Sequence, residues 1–532
     1  MKKILTVILA ILLAAIMCVS CGDDIPAATT GAPETTMESV TPDVTPEQTP
    51  NESTPDATTT VGQDESTPEN TESETAPGTE TLPSETKVDE TSGKETEPDE
   101  TTLKLNEVDI SEYKIVYGSR CSDYDMRAAS YIRDSILALT GVKLPITTDT
   151  GAAAAHEIVI GETKRDISAA LDADTEGVEF SLMAKDGHIA LEGDYYVIAA
   201  AAYYFVETYV EGEGGNIPAE PTVCQPIVEK PNNYIFLIGD GMGLYQTLLF
   251  DIMDSTTVSY SDGEDLFYGY MLPYMGLART NSLSGLTDSA AAGTALATGY
   301  KTSNGAIGKQ AMGRDVKSLT EIAGDLGMAT AVMSTEAQTG ATPSAFSAHA
   351  PNRNDSNIIL ESQAALVEKY GTIIKCNYNY YDASGIKTIE KNINDTLTAL
   401  SANENGFFLM YEEAYIDKHC HNNDINNTFN AVVRFNQAIA VFMEYAFYNP
   451  DTFLLITADH ETGKLLPNGS GGFSYGSGDH SEMYVPVFTY GIGGELFDGR
   501  IVENIQIPKT IASFWGYELS GYKADEYPAL AK

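Results

Sequence analysis

At 532 residues the chain exceeds what one ordinary core supports, so a processing segment, a spacer and two folded units are expected. Its 77 acidic residues against 31 basic ones give a formal net charge of -46, which repels nucleic acid and anionic lipid and excludes a polyanion-binding role. Much of that charge is local, because residues 22–102 interleave many Asp and Glu with Thr, Ser and Pro and cannot bury a core.

Lys2 and Lys3 precede an apolar run over residues 4–17, short for a membrane span and suited to an export signal occupying 1–20. Val19-Ser20-Cys21 sets a small residue before a cysteine and is followed by polar Gly22, Asp23 and Asp24. That pattern resembles the lipobox of bacterial lipoproteins, which implies lipidation of Cys21 after cleavage. Cys18 stands where the box usually has Leu, and plain secretion with Cys21 unmodified is the alternative. Residues 21–102 then form an unfolded acidic linker, and the rest of the chain is expected outside the cell, anchored to the outer face of the membrane. Cys121, Cys224, Cys376 and Cys420 follow no zinc-finger spacing. In an oxidising compartment Cys121 with Cys224 and Cys376 with Cys420 are one pairing among those open.

Residues 113–117 read as a strand, and 126–139 have helical periodicity that Gly141 ends. Residues 157–161 and 188–193 are further strands, and 195–210 form an Ala-rich helix. These elements give a small α+β domain over 103–229. Its Leu139-Thr140-Gly141 and Ile160-Gly161-Glu162-Thr163 segments are similar to the accessory domain that precedes the catalytic unit of glycoside hydrolases. Spacing or docking is its expected role, with glycan contact open. His156 and His188 are isolated and read as surface or satisfied side chains.

Over 230–532 the pattern changes to continuous apolar runs at 234–238, 329–333, 407–410, 453–456 and 485–488, alternating with helical segments. Runs without polar alternation indicate strands buried on both faces, hence a largely parallel sheet covered by helices. Sites in such α/β sheets gather at the carboxyl ends of the strands. The first run ends in Gly239-Asp240-Gly241, which read alone is also an ordinary turn and lacks the glycine spacing of a dinucleotide site. Thr287-Asp288-Ser289 opens an Ala- and Gly-rich helix, so Ser289 lies where unpaired amides favour an anionic oxygen, and a plain capping role is compatible with that. Glu412 follows the third run, and Asp417 and His421 share one face if their segment is helical. Asp459 and His460 follow the fourth run, and His480 precedes the fifth. Acids and imidazoles collected at strand ends form a candidate site for two metal ions.

These segments, in this order, resemble the alkaline phosphatase family over about residues 233–491. The resemblance implies an alkaline-phosphatase-like three-layer α/β sandwich. It implies one zinc held by Asp417, His421 and His480, a second held by Asp240, Asp459 and His460 with Ser289 facing it, and a magnesium held by Asp240, Thr342 and Glu412. Arg353 matches the family's phosphate-clamping arginine, and Lys418 a lysine that approaches phosphate through water. Gly340 departs from the pattern: the family often has Asp or His there, so the third site is expected to lack a side chain. His349 matches a family position that holds no metal, and His419 is expected to face solvent.

The implied activity is hydrolysis of phosphate monoesters through a phosphoserine on Ser289. A phosphodiesterase of the same superfamily is the nearest rival, and an inactive surface protein that binds glycan is a rival of another class. A sulfatase is disfavoured by the lack of a Cys-x-Pro-x-Arg segment. The substrate class is small phosphate monoesters; nucleic acid binding is not expected, membrane contact is through the lipid anchor only, and a homodimer is open.

Overall fold

The apolar runs of the larger sheet are strands because both of their faces are covered. The computed structural model describes residues 103–171, 175, 179–193, 197–212, 216–225, 230–251, 253, 266–378, 388–520 and 526–531. The expected export signal, Cys21 and the expected acidic linker lie outside the described residues. Eight strands build the larger sheet: Asn233–Gly239 (β1), Tyr274–Arg279 (β2), Ala329–Ser334 (β3), Ile373–Cys376 (β4), Phe407–Glu413 (β5), Thr452–Thr457 (β6), Val485–Tyr490 (β7) and Ile501–Glu503 (β8). Their spatial order is β4-β3-β5-β1-β6-β7-β2-β8. β1, β5 and β6 occupy the middle and are buried along their whole length, as the absence of alternation requires.

The five strands from β4 to β6 run parallel, while β7 runs antiparallel to both β6 and β2. The reversal at β7 was not legible in its apolar run. It follows from the link between β6 and β7, which contains two short ribbons and no crossover helix of the kind a parallel return needs. Four helices bear on the site: Ser289–Thr298 (α1), Ala341–Ser347 (α2), Tyr415–His421 (α3) and Ile425–Tyr448 (α4).

A second sheet of six strands lies in residues 103–224, in the order Ile146–Thr148, Lys114–Tyr117, Glu157–Ile160, His188–Glu192, Phe180–Lys185 and Thr222–Cys224. The first four are parallel and the last two join antiparallel. The helix Asp123–Thr140 begins in a capping box between Ser122 and Asp125 and stops at Gly141, whose φ of 74° is the left-handed cap read from the sequence. The helix expected over 195–210 is α-helical over Val197–Phe205 and widens into a π-turn over Val206–Val210. The two longer helices of this part meet the C-terminal end of α4, where Arg127 pairs with Glu444 at 2.6 Å and the rings of Tyr124 and Tyr131 pack on Phe447 and Tyr448.

Neither Cys121–Cys224 nor Cys376–Cys420 is a disulfide. Cys224 sits on an edge strand of the six-stranded sheet, and Cys121 follows the strand next to the opposite edge. Bridging them would exceed disulfide reach. Cys376 ends the edge strand β4, whereas Cys420 is buried in α3 against Gln246 and Thr428.

Candidate metal centre

The central strands β1, β5 and β6 of the larger sheet each lead into site residues. β1 runs into Asp240 and then Gly241, which has φ +74° and lies so near α3 that a Cβ there would stand 2.7 Å from the Asp417 Cα. Glycine therefore lets the end of β1 meet α3, and the Gly241 N–H donates to Asp459 Oδ1 at 3.1 Å. β5 carries Glu412, α3 presents Asp417 and His421, and β6 delivers Asp459 and His460, both fully buried. Ser289 is the first residue of α1; Asp288 is the cap, its Oδ1 accepting from the Ala291 N–H at 2.9 Å.

The histidine tautomers follow from their outer partners. His421 Nδ1 donates to the Gly478 carbonyl at 2.6 Å and His480 Nδ1 to the Thr287 carbonyl at 2.7 Å. Each Nε2 then carries a bare lone pair. The two Nε2 atoms face each other 3.2 Å apart, with Asp417 Oδ1 at 3.3 and 3.6 Å. Three acceptors pointed at one place repel unless a cation lies among them. Thr462 completes the arrangement: its hydroxyl donates to Asp417 Oδ1 at 2.6 Å and accepts from His460 Nδ1 at 3.2 Å, which bares His460 Nε2 in turn.

His460 Nε2 stands 3.2 Å from Asp459 Oδ2, 3.8 Å from Asp240 Oδ1 and 3.1 Å from Ser289 Oγ. Asp240, Asp459 and His460 form one group with metal-ligand spacing, and Asp417, His460 and His480 another. The groups adjoin, because the His460 and His480 rings stack at 3.6 Å.

Asp240 Oδ1, Asp459 Oδ2, Glu412 Oε1 and Thr342 Oγ1 are buried without a hydrogen-bond partner. Leaving such oxygens unpaired is costly, and coordination of cations accounts for them. Burial, and then the neighbouring Asp459, push the Asp240 carboxyl well above the usual range. Burial and the Glu336 charge do the same to Glu412. Asp459 is raised to about 6 by burial, with Asp417 adding to it, and His460 is driven down to about 3 by burial and His480. Acids that repel one another in a dry cleft beside unprotonated imidazoles make a donor set for divalent cations.

Around this centre Arg353 Nη1 reaches Asp288 Oδ2 at 3.4 Å, one residue from Ser289. Lys418 Nζ pairs with Glu336 Oε2 at 2.7 Å. Burial alone would lower the Lys418 ammonium, and the Glu336 charge more than offsets that. His349 binds the Gly308 carbonyl and Glu321, away from the cluster, and His419 is half-buried rather than fully solvent-facing. The sequence reading missed Glu336, Ser334 and Thr462. Glu336 fills the space at Gly340, where an added Cβ would lie 1.8 Å from Glu336 Oε1. An acid just past the end of β3, as at the other site strands, was the available signal for it.

A family model described as alkaline phosphatase matches residues 231–380 and 380–473. Alkaline phosphatase 3 of Bacillus subtilis (strain 168) is 25% identical over 338 residues, covering 54% of this chain and 71% of that protein. Alkaline phosphatase 4 of the same organism is 26% identical over 353 residues, covering 56% and 75%. Among solved structures, alkaline phosphatase from the Antarctic bacterium TAB5 is 26% identical and covers 54% of this chain and 98% of its own, with a TM-score of 0.46. Residues 231–473 of the chain thus belong to the alkaline phosphatase family.

Proposed function

We propose that the chain hydrolyses phosphate monoesters to an alcohol and inorganic phosphate through a phosphoserine on Ser289. Family membership carries the coarser statement, phosphoester hydrolysis that depends on divalent cations. The finer reading is supported above all by Ser289 Oγ standing 3.1 Å from a bare His460 Nε2, beside buried acids without partners.

The donor set fits one zinc at Asp417, His421 and His480, a second at Asp240, Asp459 and His460, and a magnesium at Asp240, Thr342 and Glu412. Bound there, such cations neutralise phosphate charge and lower the pKa of a coordinated hydroxyl. Ser289 Oγ attacks phosphorus as its proton leaves; the ester P–O bond breaks and the departing alkoxide takes up a proton. Water then attacks the phosphoserine, returning the Ser289 hydroxyl and releasing phosphate. The free amides at the first turn of α1 favour the anion. Arg353 grips two phosphoryl oxygens with its planar fork, which prefers an unsubstituted phosphoryl group and hence a monoester. Lys418 approaches the phosphate through water.

On the sequence pattern of residues 1–21 the enzyme works outside the cell, tethered through Cys21 with 21–102 as the spacer. Residues 103–229 act as an accessory unit that spaces or docks the catalytic unit, 230–532. Rates on p-nitrophenyl phosphate and bis(p-nitrophenyl) phosphate, with acid quenching to trap the phosphoserine, test the reading. A faster monoester reaction and phosphate on Ser289 are expected. A diester preference, or no phosphate on Ser289 during turnover, would overturn it.

A further inference from the structure

We infer that Glu336 takes the place of a side chain at position 340, closing the oxygen cradle of Asp240, Thr342 and Glu412 and fixing Lys418 at its rim. The inference rests on the reading of those three residues as one cation site. Gly340 suggests in sequence a site short of one ligand; the structure fills the gap from four residues upstream.

Space is the first argument. A Cβ on Gly340 would lie 1.8 Å from Glu336 Oε1 and 2.2 Å from its carboxyl carbon, so a side chain at 340 and the present Glu336 rotamer exclude each other. Attachment is the second. The Ser334 hydroxyl accepts from the Glu336 N–H at 3.0 Å and donates to Glu412 Oε2, so one residue at the end of β3 ties the Glu336 backbone to the Glu412 carboxyl. The Asn377 N–H donates to the Glu336 carbonyl at 2.6 Å and fixes the turn from the other side.

Chemistry is the third. Glu412 and Thr342 are fully buried, and Glu412 Oε1 and Thr342 Oγ1 lack partners, which itself points to a bound cation. Glu336 is near enough for its charge to raise both Glu412 and Asp240. Every donor in this set is oxygen and three are carboxylates, a combination that suits magnesium or another hard cation better than zinc. Glu336 Oε2 meanwhile holds Lys418 Nζ at 2.7 Å, so the acid that serves the cation also positions the lysine.

The test is magnesium titration calorimetry on the full chain with zinc content fixed by elemental analysis, in the parent, Glu336→Ala, Glu336→Gln, Gly340→Asp and the double variant E336A/G340D. Both Glu336 variants are expected to weaken the magnesium Kd roughly tenfold to a hundredfold with zinc content unchanged. Glu336→Gln keeps the shape and removes the charge, so it carries the test if the alanine variant does not fold. Gly340→Asp alone should lower the Tm by crowding Glu336, and adding Glu336→Ala should recover both Tm and magnesium affinity. Parental magnesium affinity in both Glu336 variants would overturn the inference alone, as would a Gly340→Asp substitution tolerated equally well with and without Glu336→Ala. A parent chain that takes up no magnesium once its zinc is saturated would overturn the cation site and this inference together.

Discussion

Glu157 in the six-stranded sheet and Asp459 just past a strand of the eight-stranded one are both fully buried carboxylates, and they live in opposite surroundings. Glu157 accepts from Arg165 Nε at 2.6 Å and from the Ala154 N–H at 2.9 Å, with Lys114 Nζ at 3.1 Å. Burial alone would raise its pKa, and the bonds from Arg165 and its neighbours hold it below the usual range instead. Asp459 Oδ2 has no donor, and burial and Asp417 push its carboxyl up to about 6. A paired buried acid serves the fold. A group of unpaired ones strains the metal-free fold and awaits cations, and this contrast separates a structural part from a chemical one in the same chain.

The contrast breaks most visibly at Ser289. Ser289→Ala should reduce kcat on p-nitrophenyl phosphate by roughly 10³-fold or more with zinc content unchanged, since the cradle is intact and only the nucleophile is gone. Near-parental turnover would remove Ser289 from the chemistry.

Chelation should expose the strain directly. The folded pKa of Asp459 lies above its unfolded value, so this group's contribution to the stability of the metal-free chain is fully present below about pH 4 and is lost as pH rises through about 6. Thermal melts of chelated protein should show Tm falling across that window, and zinc should restore it at neutral pH. A Tm that rises with pH over the same range would mean that the acids are not held together as described.

Glu157 should behave the other way. Glu157→Ala leaves Arg165 and Lys114 unpaired and should cost about 3 kcal/mol in urea unfolding, while zinc content and kcat stay at parental values. Loss of zinc from that variant would blur the separation of the two sheets. Arg127→Ala, at the packed surface between them, breaks an ion pair in which both side chains are nearly half exposed. It should cost less than about 1 kcal/mol, and a larger loss would show that the contact between the sheets stabilises the chain more than its exposure suggests.

Much of the centre was legible because a strand buried on both faces is an apolar run, and the residue that ends it faces the cleft at the sheet's carboxyl edge. Asp240, Glu412, Asp459 and His460 each follow or end such a run, and the four-residue spacing of Asp417 and His421 needed only the helix α3 to put them together. The edge and antiparallel strands were harder. Tyr274–Arg279 and Ile373–Cys376 mix polar with apolar residues, and the reversal of β7 depends on what connects it to β6.

Sequence by itself determined the apolar runs, the acids at their ends and the helix start at Ser289, because each depends on neighbours along the chain. Tertiary structure decided that His421 and His480 meet Nε2 to Nε2, that the cysteines stay apart, and that Glu336 fills the space beside Gly340. Those outcomes depend on distances between segments far apart in the chain, or on which of two side chains occupies a shared volume, and close packing settles them only once the sheet has formed.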